Sequence, residues 1–244
     1  MKKFVPLALV LLNVLPVAHA AVLEDQLASN NATVQPAGPR SGGSGKNFFN
    51  IEGSSNGTFA SYGVMDFTLT GVVLGPNEVI ASVNSITLTL TQDNSGFSES
   101  GPLSFYLTEN TSVDIEPGTS PLFFTGSDGA ASFGSQLDPN YFLGSGNYVE
   151  TSDGTQEVFV LNIPLAANSY AVDLLANGGT LRLIATPDSA TTAATYTGFS
   201  NSTYAGPTVD IDYTVATIPE PAALTLLGLG GLVWVAFGRR RRIG

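Results

Sequence analysis

The sequence predicts a mainly β protein, a single antiparallel β-sandwich or jelly-roll domain with one short helix, followed by a C-terminal transmembrane helix. Three observations lead there. Short apolar–polar alternations recur through the middle of the chain. Clusters of Gly, Pro, Asn and Asp fall between them. One long apolar run stands near the far end and stops at four consecutive arginines, Arg239, Arg240, Arg241 and Arg242.

Met1 to Ala20 reads as a secretory leader. Lys2 and Lys3 form its charged region and Phe4 to Val17 its apolar one, while Ala18-His19-Ala20 supplies the small-x-small cleavage pattern. Cutting after Ala20 starts the mature chain at Ala21. Residues 21–45 are polar and rich in Gly, Ser, Asn and Pro, a composition that cannot bury a core, and they predict a flexible lead-in with a short helix near Leu23 to Leu27. The glycines before Lys46 are not a phosphate loop, because Asn47 stands where Ser or Thr is required.

Residues 46–215 have the size of one domain. Val83 to Thr91 reads V-N-S-I-T-L-T-L-T, with Ile86, Leu88 and Leu90 on one face and Thr87, Thr89 and Thr91 on the other. Phe59 to Leu69 predicts a strand whose phase changes at Met65, from Tyr62 and Val64 to Phe67 and Leu69. Further strands are predicted at Leu103 to Thr108, Glu157 to Ile163, Thr180 to Ala185, Ala194 to Phe199 and Thr208 to Val215. Turn signals separate them at Gly75-Pro76-Asn77, Asp93 to Gly96, Asp128-Gly129, Asp138-Pro139-Asn140, Asp153-Gly154 and Gly206-Pro207. One helix is predicted at Asn168 to Ala176, presenting Tyr170, Leu174 and Leu175 and stopping at Asn177-Gly178-Gly179.

The tail follows, with a linker at 216–221, a span at 222–238 and a basic end at 239–244. Pro219 and Pro221 hold the linker extended. Ala222 to Gly238 carries no charge and one polar side chain, Thr225. As a helix it would reach roughly 25 Å, just short of the ~30 Å hydrocarbon core, and snorkelling arginine would cover the difference. The four arginines stay cytoplasmic by the positive-inside rule, which leaves the body outside.

Charge and composition exclude several functions. Of nine Lys and Arg, the leader holds two and the tail four, leaving Arg40, Lys46 and Arg182; of twenty acidic residues only Glu220 lies in either end. The body therefore carries three positive charges against nineteen negative ones, a formal net of −16. Nucleic-acid binding needs a basic footprint, and none is present. There is no cysteine, and the one histidine, His19, lies in the leader. A mature body without thiol or imidazole has no Ser-His-Asp triad, no cysteine nucleophile and no usual zinc, copper, haem or iron–sulfur site. No catalytic residue is assigned, and no cofactor is expected beyond a structural calcium, which oxygen-rich loops admit.

The succession Pro219-Glu220-Pro221, apolar span and Arg239 to Arg242 resembles the PEP-CTERM sorting signal of Gram-negative bacteria. The resemblance covers about a tenth of the chain. It implies an exosortase as processing partner, with signal peptidase acting on the leader. It also implies transient anchoring in the inner membrane, then the cell surface or extracellular matrix, in a setting of exopolysaccharide and biofilm. Phe48 to Asp66 looks like bodies often attached to such tails. Gly178 to Leu183, Phe199-Ser200 and Pro207 to Tyr213 are similar to the end of the DNRLRE-type β-sandwich, a module associated with secreted and carbohydrate-binding proteins.

Three constellations have functional readings beside bland ones. Asp210 and Asp212 share one strand face, as acid/base or calcium-binding carboxylates would, or as the charged outer face of an edge strand. Asp93, Asn94, Glu99, Asp128, Asp138, Glu150 and Asp153 are candidate calcium ligands or solvated turn residues, without EF-hand spacing. Tyr106, Tyr141, Phe142, Tyr148, Tyr196 and Tyr204 would form a sugar-stacking platform if exposed together, and core or local packing if not. Asn-x-Ser/Thr triplets at Asn31, Asn56, Asn110 and Asn201 read as accidents of composition. The expected function is a non-enzymatic surface or matrix protein; the alternatives are a carbohydrate-binding module and a carboxylate-based hydrolase.

Overall fold

The computed structural model describes residues 17–35, 38–39, 46–111 and 141–218. Strands take 58% of these residues, more than twice the share usual in globular proteins. They are β1 (Ala18–Gln35), β2 (Gly38–Pro39), β3 (Phe48–Glu52), β4 (Tyr62–Leu69), β5 (Glu78–Thr91), β6 (Gly101–Thr108), β7 (Phe142–Tyr148), β8 (Gln156–Asn162), β9 (Gly179–Pro187), β10 (Ala193–Thr197) and β11 (Thr208–Thr217). The helix α1 is Leu165–Asn177.

Eight strands form one antiparallel path, β7-β6-β9-β4-β1-β11-β5-β8, with β2 beside β1, and β3 pairs with β10 separately. The path folds over one core and nearly closes on itself. No ladder joins β7 to β8. The seam is made by side chains instead: Phe159 of β8 packs on Phe105 with ring centroids 4.7 Å apart, and it lies directly over Gly146 of β7, where an added Cβ would stand 2.4 Å from the ring.

β1 holds the path together. Its first half, Ala18 to Leu27, pairs with β11, and its second half, Ala28 to Val34, pairs with β4. The flexible lead-in predicted for 21–45 is therefore corrected for its first part. Ala21 to Gln35 is paired strand, with no helix at Leu23 to Leu27. Its polar composition is satisfied by distant partners: Asn31, 3% exposed, accepts the Phe199 N–H at 2.6 Å through its Oδ1.

Strands β5, β6, β8, β9, β10 and β11 fall within a few residues of the alternations that predict them. In β5, Ile86, Leu88 and Leu90 enter the core, as the period-2 pattern requires, while Thr91 is buried as well. Upstream, β5 carries two bulges against β11, which skip Asn84 and Ala81 and re-space the buried residues as Ile80, Val83 and Ile86. The predicted phase change in β4 is absent. Met65, Phe67 and Leu69 face the main core, while Tyr62, Val64 and Asp66, of the other parity, are buried on the opposite face. A strand buried on both sides shows no alternation to read.

Helix α1 starts three residues earlier than predicted. Pro164 sits at its N-cap without a capping side chain, so no polar start signal exists. Ala167, Ala171, Leu174 and Leu175 are buried in the core, and Tyr170 packs at its margin. The stop is as expected: Gly178 at φ 77° donates its N–H to Leu174 O at 2.8 Å. Among the described residues no helix is long and apolar enough to cross a membrane; the predicted span, Ala222 to Gly238, lies outside them.

Candidate functional sites

Among the described residues the most deeply placed charge is Arg182 on β9. It stands directly opposite Asp66 of β4 in the ladder. Its Nε and Nη2 donate to the two oxygens of Asp66, each at 2.7 Å, and Nη1 donates to Asn110 O at 3.0 Å. The planar guanidinium fits the carboxylate fork, which is why arginine serves here. The charge of Arg182 partly offsets the burial that pushes the Tyr62 phenol up. Sequence reasoning assigned this pair no role. Each residue interrupts an apolar strand, and that interruption was the available signal.

The six candidate aromatics do not assemble. Tyr148 and Tyr196 are fully buried and meet edge to face at 5.5 Å. Tyr196 donates its hydroxyl to Glu157 Oε2 at 2.5 Å, while Glu157 Oε1 accepts the Val149 N–H at 2.8 Å. Burial, and then the Glu157 charge, push the Tyr196 phenol well up. Tyr204 packs over Gly154, and Tyr141 bonds Glu109. Tyr106 of β6 and Phe142 of β7 remain as a pair at 5.3 Å, tilted by 59°. Beside them Ser104 donates to Asp188 Oδ2 at 2.5 Å and meets Ser145 Oγ at 3.2 Å. Burial and the Asp188 charge raise the Tyr106 phenol.

Among the calcium candidates the fold brings Asp93 and Asp153 together. Burial raises the Asp93 carboxyl, and the Asp153 charge adds to it. Asp93 already accepts the Asn94 N–H at 2.9 Å and Asn201 Nδ2 at 3.1 Å. Glu99 lies on a separate bridge to Ala193, and Glu150 beside Ser100. Asp128 and Asp138 lie outside the described residues. Among the described residues no three His, Cys, Asp or Glu side chains are grouped to hold a metal.

Asp210 and Asp212 lie on an interior strand, since β11 pairs with both β1 and β5. The edge-strand reading is corrected, because β1 supplies the partner that the polar sequence of 21–35 concealed. Asp210 Oδ1 accepts the Asp25 N–H at 2.7 Å, and Asp212 Oδ1 accepts Asn84 Nδ2 at 2.6 Å. Both carboxylates therefore serve backbone irregularities, Asp25 at φ 54° and the Asn84 bulge. The four triplet asparagines are engaged too: Asn31 as above, Asn56 with Gly53 O, Asn110 through its carbonyl, and Asn201 Oδ1 with the Thr203 and Tyr204 N–H groups.

The last site is the junction with the tail. The strand continues past the predicted domain end at 215, so Ala216 and Thr217 belong to β11 and not to the linker. Ala18, His19 and Ala20 pair with Ala216, Val215 and Thr214, and Ala21 with Tyr213. The leader's cleavage motif thus lies alongside the strand that leads into the tail. Pro219, Glu220, Pro221 and Arg239 to Arg242 are outside the described residues.

A β-rich body that passes from an interior strand straight into an apolar, arginine-ended tail defines a class, that of exported proteins sorted through their C-terminus. Comparison with protein families places the tail. Residues 217–242 match the PEP-CTERM protein-sorting motif, so the chain is a PEP-CTERM sorting domain-containing protein, as the resemblance implied. The motif implies export to the cell envelope or surface and processing by an exosortase-type enzyme. No curated protein matches the chain. Among solved structures, a mutant VP2 protein of infectious bursal disease virus aligns at 13% identity over 88% of this chain and 49% of its own, with a TM-score of 0.21. The chain thus spans about half the length of that protein, and the likeness is too distant to inform the fold.

Proposed function

We propose that the chain is a non-enzymatic protein of the cell surface or extracellular matrix. Its leader is cut after Ala20, its tail anchors it briefly in the inner membrane, and its acidic body is then delivered outside among exopolysaccharide. In this reading the body is a β-sandwich of the jelly-roll kind, its two halves joined through β1. The observation that carries the proposal is the sorting motif matched at 217–242. A body with nineteen acidic and three basic residues, no thiol and no imidazole supports a role in hydration and display over chemistry. Intact-mass analysis of the protein from its native host tests it. The expected product begins at Ala21 and lacks Arg239 to Arg242; a full-length product at the surface refutes it.

A second reading, the carbohydrate-binding module, draws on the Tyr106–Phe142 pair beside Ser104 and Asp188, since rings next to polar acceptors suit a sugar's apolar face and hydroxyls. Retention on matrix polysaccharide that Tyr106→Ala and Phe142→Ala abolish would favour it. Retention unchanged by both would remove it.

A further inference from the structure

The leader and the sorting motif meet on one strand. Thr217 is both the last residue of β11 and the first residue of the matched motif. Its N–H donates to Val17 O at 3.0 Å, whereas the next N–H, that of Ile218, donates to Asn77 O on the β5 side at 2.7 Å. Successive N–H groups of an antiparallel strand point to opposite neighbours. The Val215 and Thr217 donors therefore face leader residues, with Val215 opposite His19, while Ala216 and Ile218 face β5.

Cleavage after Ala20 removes the partners on one side only. Water adds hydroxyl to the Ala20 carbonyl and a proton to the Ala21 nitrogen, and Val17 to Ala20 depart with the leader. The new first residue, Ala21, pairs with Tyr213. Thr214 to Thr217 then keep β5 on one side and present an open strand edge on the other, directly before the motif.

The motif itself is poor in backbone donors. Pro219 and Pro221 have no N–H, leaving Glu220 alone among the three. A processing enzyme that reads this substrate through its backbone must find its donors upstream, and Val215 and Thr217 are the ones that leader removal frees. From Thr217 to Pro219 the chain reaches at most about 7 Å, so a grip on this edge fixes the motif's position.

We infer that the vacated edge of β11 at Thr214 to Thr217 is a docking surface for an extended segment of the C-terminal processing enzyme, which adds as a strand in the leader's place. Leader removal thereby precedes and licenses tail removal. The inference rests on the export reading above.

The test uses the full chain in its native host, with both ends followed by intact mass. Ala18→Leu with Ala20→Leu replaces the small residues that the leader's peptidase requires and keeps strand-compatible side chains at two exposed positions. Tail removal should slow by about tenfold or more, the scale of two backbone hydrogen bonds. Adding His19→Pro, which cannot continue the ladder, should restore it although the leader remains attached. Unchanged tail removal in the first variant overturns the inference, and so does failure of His19→Pro to restore it, which would make leader retention itself the obstacle. A wild-type chain that keeps its leader overturns both this inference and the export reading, whereas a cleaved chain with the other failures leaves the export reading standing.

Amide exchange on the full-length chain in detergent gives an independent measurement should a variant misfold. Leader loss should speed exchange at Val215 and Thr217 about tenfold or more and leave Ala216 and Ile218 protected. Equal protection at all four, or a leader-free dimer that still protects Val215 and Thr217, assigns the edge elsewhere and overturns the inference.

Discussion

Replacing Arg182 with Met should destabilise the body by about 3–5 kcal/mol, because it leaves a buried carboxylate without its counter-charge. The substitution deletes two charge-assisted bonds of 2.7 Å to Asp66 and one of 3.0 Å to Asn110 O. Asp66 is 7% exposed, so water cannot replace them without opening the sheet. For a domain of this size each kcal/mol lowers Tm by about 2–4 °C, which puts the variant roughly 10 °C below the parent. The double variant Asp66→Leu with Arg182→Met removes both charges from facing ladder positions and should recover most of the loss, since apolar replacement of a buried pair is often neutral or better. Urea unfolding of the parent, both single variants and the double variant closes the cycle, and the coupling should exceed about 2 kcal/mol. An Arg182→Met variant within about 1 kcal/mol of the parent would refute the reasoning and show that the pair stays hydrated.

Other outcomes follow from the same structure. Tyr62 and Tyr196 are buried phenols raised above their ordinary value. The unfolded chain ionises them near pH ~10 while the fold keeps them protonated, so their contribution is intact below that pH and is lost as pH rises, at about 1.4 kcal/mol per pH unit for each. Tyr106, Tyr148 and Tyr170 are raised by burial as well and add to that slope. Urea unfolding at stepped alkaline pH should show a slope at least as steep as the two phenols give, Tyr196→Phe should lessen it by about one group's share, and a flat profile would contradict it. Gly146→Ala should cost about 1–3 kcal/mol in the same assay, because the new Cβ meets the Phe159 ring at the β7–β8 seam. The raised Asp93 carboxyl favours the fold at low pH, and that contribution is lost as pH rises through its folded value. Burial is the main cause of that shift and the Asp153 charge a lesser one, so Asp153→Asn should reduce this contribution slightly and leave the larger part in place, as urea unfolding at stepped acidic pH would show.

What the sequence revealed depended on where each strand's partners lie. β5 and β11 show their faces because one side meets the core and the other meets solvent. β4 concealed its phase because Tyr62, Val64 and Asp66 are buried on one side and Met65, Phe67 and Leu69 on the other. β1 was illegible for another reason. A run such as Ser29-Asn30-Asn31-Ala32-Thr33 has no apolar period, and its burial is set by contacts such as Asn31 with Phe199, 168 residues away. β7, F-L-G-S-G-N-Y, uses glycine where a strand usually has bulk, so that Phe159 can fill the space. The sorting signal was legible because its parts, Pro219-Glu220-Pro221, the apolar run and Arg239 to Arg242, stand side by side in the sequence. The Asp66–Arg182 pair was not, because its members are separated by 116 residues and meet only through the β4–β9 register.

The position of β1 also constrains when the body can fold. β1, the first strand among the described residues, takes as its neighbour β11, the last of them, with Asp25 bonding Asp210 across 185 residues. Such closure is slow, since the intervening loop must be organised before the contact forms. β1 bridges β4 and β11, so it can meet both of its neighbours, and complete the path, only once the whole body has been synthesised.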